Sequence, residues 1–442
     1  MIYPRIIGGL SNSKFYGQII KNLNITLEHE NFKVRNIRDA RCFIRDRVFT
    51  FKRLIIILMT QLQRSFTREI KDFLSHVSDP NCSFEAASGA AFSKARAKLK
   101  YTAFIELSDQ IIGEFYQSGP HKRDWKGYRV IACDGSKVEL PNSKEIQSRF
   151  GVHSVRSDGK QIPMATICEL FDPLNNLCLS AKLDGFKISE SDLAWSMLRE
   201  GTFGQGDIFI FDRYFYSSLL AVYLNQIGAD FCFRIKSNSV LVKKLKGQKK
   251  KDGIFEISIG RESKQRAREY NIANQKISCR VTIIDLPNEQ EEFLLSSFTD
   301  QQKTSSEDLK ELYFLRWRIE EQYKKLKHKV CLENFSGKSV ESIYQDFYVK
   351  IFTMNLTCIL IHPIDHLLEK APKKKYTHKV NFTNAIAGIK YLPIKLFIEK
   401  NVSVVQNIMQ WFLQNTIPIR PGRTFTRHKI PKRKYPQNSK PT

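Results

Sequence analysis

Five short runs rich in β-forming residues constrain the fold most. They lie at 129–133 (RVIAC), 162–171, 177–183, 207–211 (DIFIF) and 230–235, with helical patterns at 190–200 and 217–226. The order β-β-β-α-β-α-β predicts a mixed sheet with covering helices. On the N-terminal side, residues 1 to about 120 read as helical, with helical periodicity over 51–73 and 91–116. On the other side, a lysine-rich stretch (Lys243, Lys244, Lys246, Lys249, Lys250, Lys251) precedes strand-like runs at 254–259, 276–286 and 292–298. These are expected to form an all-β insertion. A long helix then starts near Thr304 and Ser305, where Thr304-x-x-Glu307 reads as a capping box. A second helical run covers 343–361.

Composition narrows the partner. The 442 residues are 42% hydrophobic and 12% aromatic, which argues for a folded chain with a sizeable core. Lys plus Arg number 71 against 45 Asp plus Glu, a net charge of +26. That excess favours an extended polyanion over the alternatives of an ordinary basic surface or a membrane surface. The longest purely apolar run, 54–59, is far shorter than the roughly 20 residues a bilayer needs, so no membrane association is expected. The N-terminus lacks a signal-peptide pattern. Nine cysteines occur without CxxC or Cys/His metal spacing, which fits a reducing cytoplasm. Two basic clusters, Lys33, Arg35, Arg38, Arg41, Arg45 and Arg47, then Lys94, Arg96, Lys98 and Lys100, lean toward phosphate contacts rather than a merely solvated face. Residues 416–442 hold eight Lys/Arg, five Pro and no acid, so an extended or disordered tail is expected.

The chemistry concentrates in YFLRWRIEEQYKKLK, residues 313–327. On a straight α-helix Tyr313, Arg316, Glu320 and Lys327 fall within about 60° of arc. Leu312, Leu315, Ile319, Tyr323, Leu326 and Val330 form the adjoining apolar face. A carboxylate, a phenol and two cations beside a buried seam suit a site that handles phosphate and metal together. The ordinary alternative is an amphipathic helix with ion pairs such as Glu320–Lys324. Upstream, RVIAC runs into Asp134-Gly135-Ser136 and DIFIF into Asp212-Arg213. Taken singly, Asp134 suits a turn and Asp212 a cap for the helix near Ser217. Together with Glu320 they offer three carboxylates to one edge of one sheet, where strands of open α/β sheets form sites. Unpaired, the three would repel; a pair of Mg²⁺ ions about 3.5–4 Å apart would resolve that and serve in-line phosphoryl transfer.

With these residues in place, the chain resembles the DDE transposases of insertion-sequence family four, a bacterial cut-and-paste group. IACDGSKVELP looks like the first-aspartate block. FIFDRYFYS is similar to the second, with Tyr214 where the family has Gly. Tyr313-x2-Arg316-x3-Glu320-x6-Lys327 matches the Tyr-Arg-Glu-Lys signature in full. ENFSGKS (333–339) and PIRPGRTFTR (418–427) look like the downstream text, so the resemblance covers roughly residues 90–430. It implies an α/β, RNase H-like (retroviral-integrase-like) mixed-sheet core with a β-rich insertion and a helical N-terminal domain. The expected layout is a basic DNA-binding region at 1–120, a core at 121–237, the insertion at 238–300, the core again at 301–365 with the Glu320 helix, and a C-terminal helical region with basic tail at 366–442. The resemblance also implies Asp134, Asp212 and Glu320 as ligands of Mg²⁺, with Mn²⁺ as a substitute, and Tyr313, Arg316 and Lys327 as holders of DNA phosphate. Trp317 is expected either to stack on a displaced base or to pack under the insertion. Arg420, Arg423 and Arg427 are expected to contact DNA. The implied partners are double-stranded inverted-repeat ends and target DNA, with a homodimer on DNA in the cytoplasm. Two competitors stand beside a transposase: an RNase H-like nuclease without strand transfer, and a DNA-binding remnant without catalysis.

Overall fold

The structure is a computed structural model, and it describes residues 13–45, 48–60, 66–77, 88–155, 161–286, 290–371 and 375–420. The chain divides into two compact units. The first comprises Met1–Lys122, Val138–Ala165 and Lys324–Thr442; the second comprises Arg123–Lys137 and Thr166–Tyr323. The division is discontinuous in sequence. In particular, the end of the Glu320 helix and the long helix beyond it group with the N-terminal helices.

The chain carries a nine-stranded sheet whose strands are β1 (Arg129–Glu139), β2 (Val152–Val155), β3 (Gln161–Asp172), β4 (Leu177–Gly185), β5 (Asp207–Phe211), β6 (Asp230–Arg234), β7 (Asp252–Ile257), β8 (Ile277–Leu286) and β9 (Gln290–Ser296). Their order is β2-β3-β1-β5-β6-β9-β8-β7, with β4 also on β3. β1, β5 and β6 run parallel. The crossovers between them are the helices Glu190–Glu200 and Ser218–Gln226, started by Ser189 and Ser217, whose hydroxyls accept from the Asp192 and Leu220 amides. Their apolar faces cover Ile131, Cys133, Phe209, Phe211, Phe231 and Phe233 on one side of the sheet.

Residues 238–300 differ from the expected all-β insertion. They include the helices Val240–Gly247 and Lys264–Glu269, and their strands are not a separate body. β9 pairs antiparallel with β6, β8 with β9 and β7 with β8, which extends the same sheet. Cys279, Val281, Ile283, Phe293 and Leu295 join the core of β5 and β6. The cause is an edge: without β9, the Phe-rich strand β6 would expose its unpaired backbone.

In the first unit the main element is the helix Val340–Lys370, opened by a capping box between Ser339 and Ser342. By length and composition it could cross a membrane, yet its apolar window is entirely buried in the protein. The search for pure apolar runs missed it because Lys350, Asn355 and Thr357 interrupt the run. Its buried Asp346 holds Arg96 at 2.7 Å, and Gln345 accepts from Arg96 Nε at 2.6 Å. Arg96 is thus a core tie, not the phosphate contact its cluster suggested. Four cations of the other cluster also have acidic partners. Lys33 pairs with Glu30, Arg35 with Glu106, Arg38 with Glu341 and Arg41 with Asp39, all within 3.0 Å. A one-sign run in sequence is not a one-sign surface here, because folding brings acids from elsewhere. Arg47 lies outside the described residues. So does the tail beyond residue 420; its start, Thr416–Pro418, is a strand paired with His378–Val380.

Candidate active site

Register brings the two aspartates together. The parallel β1/β5 ladder ends at the pair Cys133–Phe211. Asp134 and Asp212 are the next residues on the two strands. Side chains alternate along a strand, so both aspartates point to the face opposite Cys133 and Phe211. β1 itself continues to Glu139, so Asp134 lies inside the strand and not past its end as the sequence reading had it. What ends at Cys133 is the ladder with β5. Neither single-residue alternative accounts for Asp212: Ser217 caps the following helix. After Asp212, the Phe215 amide donates to the Asp212 carbonyl at 3.0 Å, and Tyr214 is exposed. Tyr214 is not among the residues of positive φ, so this turn does not require glycine. At Gly135 there is a spatial demand: a Cβ would fall 2.2 Å from Glu190 Cγ.

The helical stripe is broken where it matters. The first helix, Ser306–Phe314, is opened by a capping box of Ser305 and Asp308, one residue beyond the expected Thr304–Glu307. It ends at Phe314, and the helix Trp317–His328 follows. Across the join the bonds run i to i+3: Arg316 N–H to the Tyr313 carbonyl, Arg318 to Leu315, Ile319 to Arg316. This tighter turn advances about 120° per residue instead of 100°, so the straight-helix projection fails there. The side chains converge nonetheless. The buried Tyr313 hydroxyl donates to Asp212 Oδ1 at 3.5 Å. Buried Arg316 donates through Nη2 to Glu320 Oε1 at 3.2 Å, so Glu320 pairs within the stripe as well as offering its carboxylate to it. Its guanidinium also lies 4.9 Å from the Trp317 ring. Trp317 is 47% exposed.

Charges in this cluster are strongly coupled. Burial pushes the Asp134 carboxyl up to about 6; the Gly135 amide and Arg316 oppose this, and Glu190 and Glu320 add to it. Burial works against the Arg316 charge, but the Tyr313 hydroxyl, Asp212, Asp134 and Glu320 together outweigh it and raise its pKa. Burial also raises Tyr313. Arg316 thus contacts Glu320 directly, and the Asp212 and Asp134 charges also favour its charged form.

Lys327 belongs to the first unit, where burial lowers its ammonium pKa and Glu333 opposes the shift. Arg420, in the same unit, lies over the Tyr376 ring at 5.8 Å. Arg423 and Arg427 lie outside the described residues.

Sequence reasoning missed five residues near the aspartates. Arg234 ends β6 and lies 3.9 Å from Asp212 and 3.2 Å from Glu292. Glu190 abuts Gly135. Tyr323 donates to the Asp134 carbonyl at 2.7 Å. Glu169 is fully buried on β3. Its signal was legible, a lone acid inside the apolar run ICELF; the others carry none without the fold.

The donors Asp134, Asp212 and Glu320 are hard carboxylate oxygens, the chemistry that Mg²⁺ or Mn²⁺ takes. Among the described residues, no three acidic, histidine or cysteine side chains converge tightly enough to share an ion as placed. The positive charges beside them include Arg316, on Glu320, and Arg234, on Asp212. In donor chemistry the set suits a hard divalent ion.

Residues 125–356 match the family described as "Transposase DDE domain". A 110-residue stretch is 30% identical to InsZ of Escherichia coli (strain K12), a protein provisionally named a transposase; it covers 25% of this chain and 36% of InsZ, so the chain spans about a third of that relative. The fold is also similar to the cryo-EM structure of the piggyBac transposase synaptic complex with hairpin DNA, at 10% identity, a TM-score of 0.42, and coverage of 94% of this chain and 86% of that one. The family match extends over just more than half of the chain and includes Asp134, Asp212 and Glu320: this chain belongs to the DDE-domain transposases.

Proposed function

We propose that the chain is a DNA transposase of the family-four insertion-sequence type, with an RNase H-like core that cuts at the element's ends and joins the 3′-OH to target DNA. The observation that carries this is the parallel register that sets Asp134 beside Asp212, with Arg316 tying Glu320 to the same charge cluster. Asp134, Asp212 and Glu320 would hold Mg²⁺ or Mn²⁺, which when bound supplies charge neutralisation and orientation for in-line attack on phosphorus. Arg316 is buried, and a charge-assisted contact to phosphate is stronger in such a setting than in water. Tyr313 orients Asp212 through its hydroxyl. Exposed Trp317 is available to stack on an unpaired base. Lys327, Arg420, Arg423 and Arg427 are assigned to backbone phosphate, in keeping with the +26 charge.

The test is a linear donor carrying the terminal inverted repeats that flank the coding region, incubated with purified protein and Mg²⁺. Double-strand cleavage at the repeat tips and joined product are expected. Cleavage without joining would favour a nuclease, and binding without cleavage a catalytically dead remnant.

Arg316 gives a second expectation. Arg316→Ala should reduce cleavage about a hundredfold, because Glu320 loses its direct partner, Asp212 and Asp134 lose a favourable charge, and the phosphate loses its contact. Thermal melts of the same preparation separate the roles. A loss of activity fully matched by unfolding at the assay temperature would reduce Arg316 to a structural ion pair.

A further inference from the structure

Asp134 and Glu320 lie on a strand and a helix far apart in sequence, and one buried hydroxyl links them. Tyr323 is one helical turn past Glu320 and shares its face of the helix. Its ring is 7% exposed, and its hydroxyl donates to the Asp134 carbonyl at 2.7 Å. That carbonyl lies just past Cys133–Phe211, where the β1/β5 ladder stops. Packing alone does not call for a hydroxyl here. A phenylalanine fills the same volume, and a buried hydroxyl costs free energy unless it finds a partner. The nearby Arg318 guanidinium donates to the Pro173 carbonyl at 2.9 Å, so the same helix is also fastened at the far end of β3.

We propose that Tyr323 is a positioning residue: its bond to the Asp134 peptide fixes the distance between the Asp134 and Glu320 carboxylates and so sets how tightly a divalent ion is held. The proposal rests on the metal-site reading above. A hydrogen bond from a side chain to a backbone carbonyl is a rigid, short tether. Without it the helix keeps its apolar contacts but the two carboxylates sample a wider range of separations. An ion must then pay to order them.

The experiment uses the full chain without DNA. Mn²⁺ is titrated into metal-free protein, and the rise in melting temperature gives a midpoint concentration. Three proteins are compared: wild type, Y323F and D134N. The midpoint for Y323F should move up about fivefold, the weight of one ordinary hydrogen bond. 4-Aminophenylalanine at 323, which keeps an N–H donor, should restore the wild-type midpoint. Should Y323F not fold, 4-chlorophenylalanine fills the volume without donating and serves in its place. A D134N protein with no metal-dependent rise and a Y323F midpoint equal to wild type would overturn the role of Tyr323 while leaving the metal site standing. A D134N protein that responds like wild type would overturn both.

Discussion

Asp134→Asn, Asp212→Asn and Glu320→Gln each lower metal-dependent DNA cleavage by about a thousandfold or more, while binding to the same DNA stays within a fewfold of wild type. Each change keeps the shape of the side chain and removes one negative oxygen from the set that would grip the ion. The three sit on separate elements, so a shared loss is not one local unfolding event seen three times. Asp134 is the most informative of them. Burial already holds its carboxyl up at about 6, so the charge is costly in the metal-free fold. The Asp134→Asn protein should therefore melt no lower than wild type in the presence of a chelator, and the loss of cleavage cannot be assigned to instability. The measurement pairs a cleavage time course with a gel-shift titration and a chelated melt. Near-wild-type cleavage by any one variant strikes that residue from the site.

How much of this was legible in advance follows the range of the interactions. The strands carrying Asp134 and Asp212 show in local composition, and their capped crossover helices in Ser189 and Ser217. That both aspartates stand on one face and one level depends on register, which the continuous apolar runs RVIAC and DIFIF do not encode. The tight turn at Leu315 and Arg316 was invisible for a different reason. Nothing in YFLRWRIEE breaks a helix by propensity; the convergence of Arg316 and Glu320, of Tyr313 and Asp212, accompanies the distortion. Extension of the sheet by β9, β8 and β7 is a long-range pairing, and local alternation predicts the strands without naming their neighbour. Arg96 misled because the acid that pairs with it, Asp346, lies far along the chain.

Between about pH 6.5 and 8.5 the stability of Glu169→Gln relative to wild type, in metal-free protein, rises by about 2 kcal/mol. Glu169 lies on β3 with no exposed surface, and burial raises its carboxyl to about 8; Gln322 and Cys178 pull it part of the way back, and the Asp134 charge adds to the rise. A carboxyl whose pKa is higher folded than unfolded keeps a proton that the unfolded chain gives up. Its contribution is fully present below the unfolded value of about 4.3 and is lost as pH rises through about 8. Asp134 acts in the same direction but finishes near pH 6, so the window above that isolates Glu169. Glutamine has the volume of the protonated acid and cannot ionise. Chemical denaturation of both proteins in chelator, at closely spaced pH values, gives the difference curve directly, and every other titrating group cancels in it. Parallel curves would mean that Glu169 is ionised and compensated at neutral pH, and that the floor beneath Asp134 is charged, not neutral.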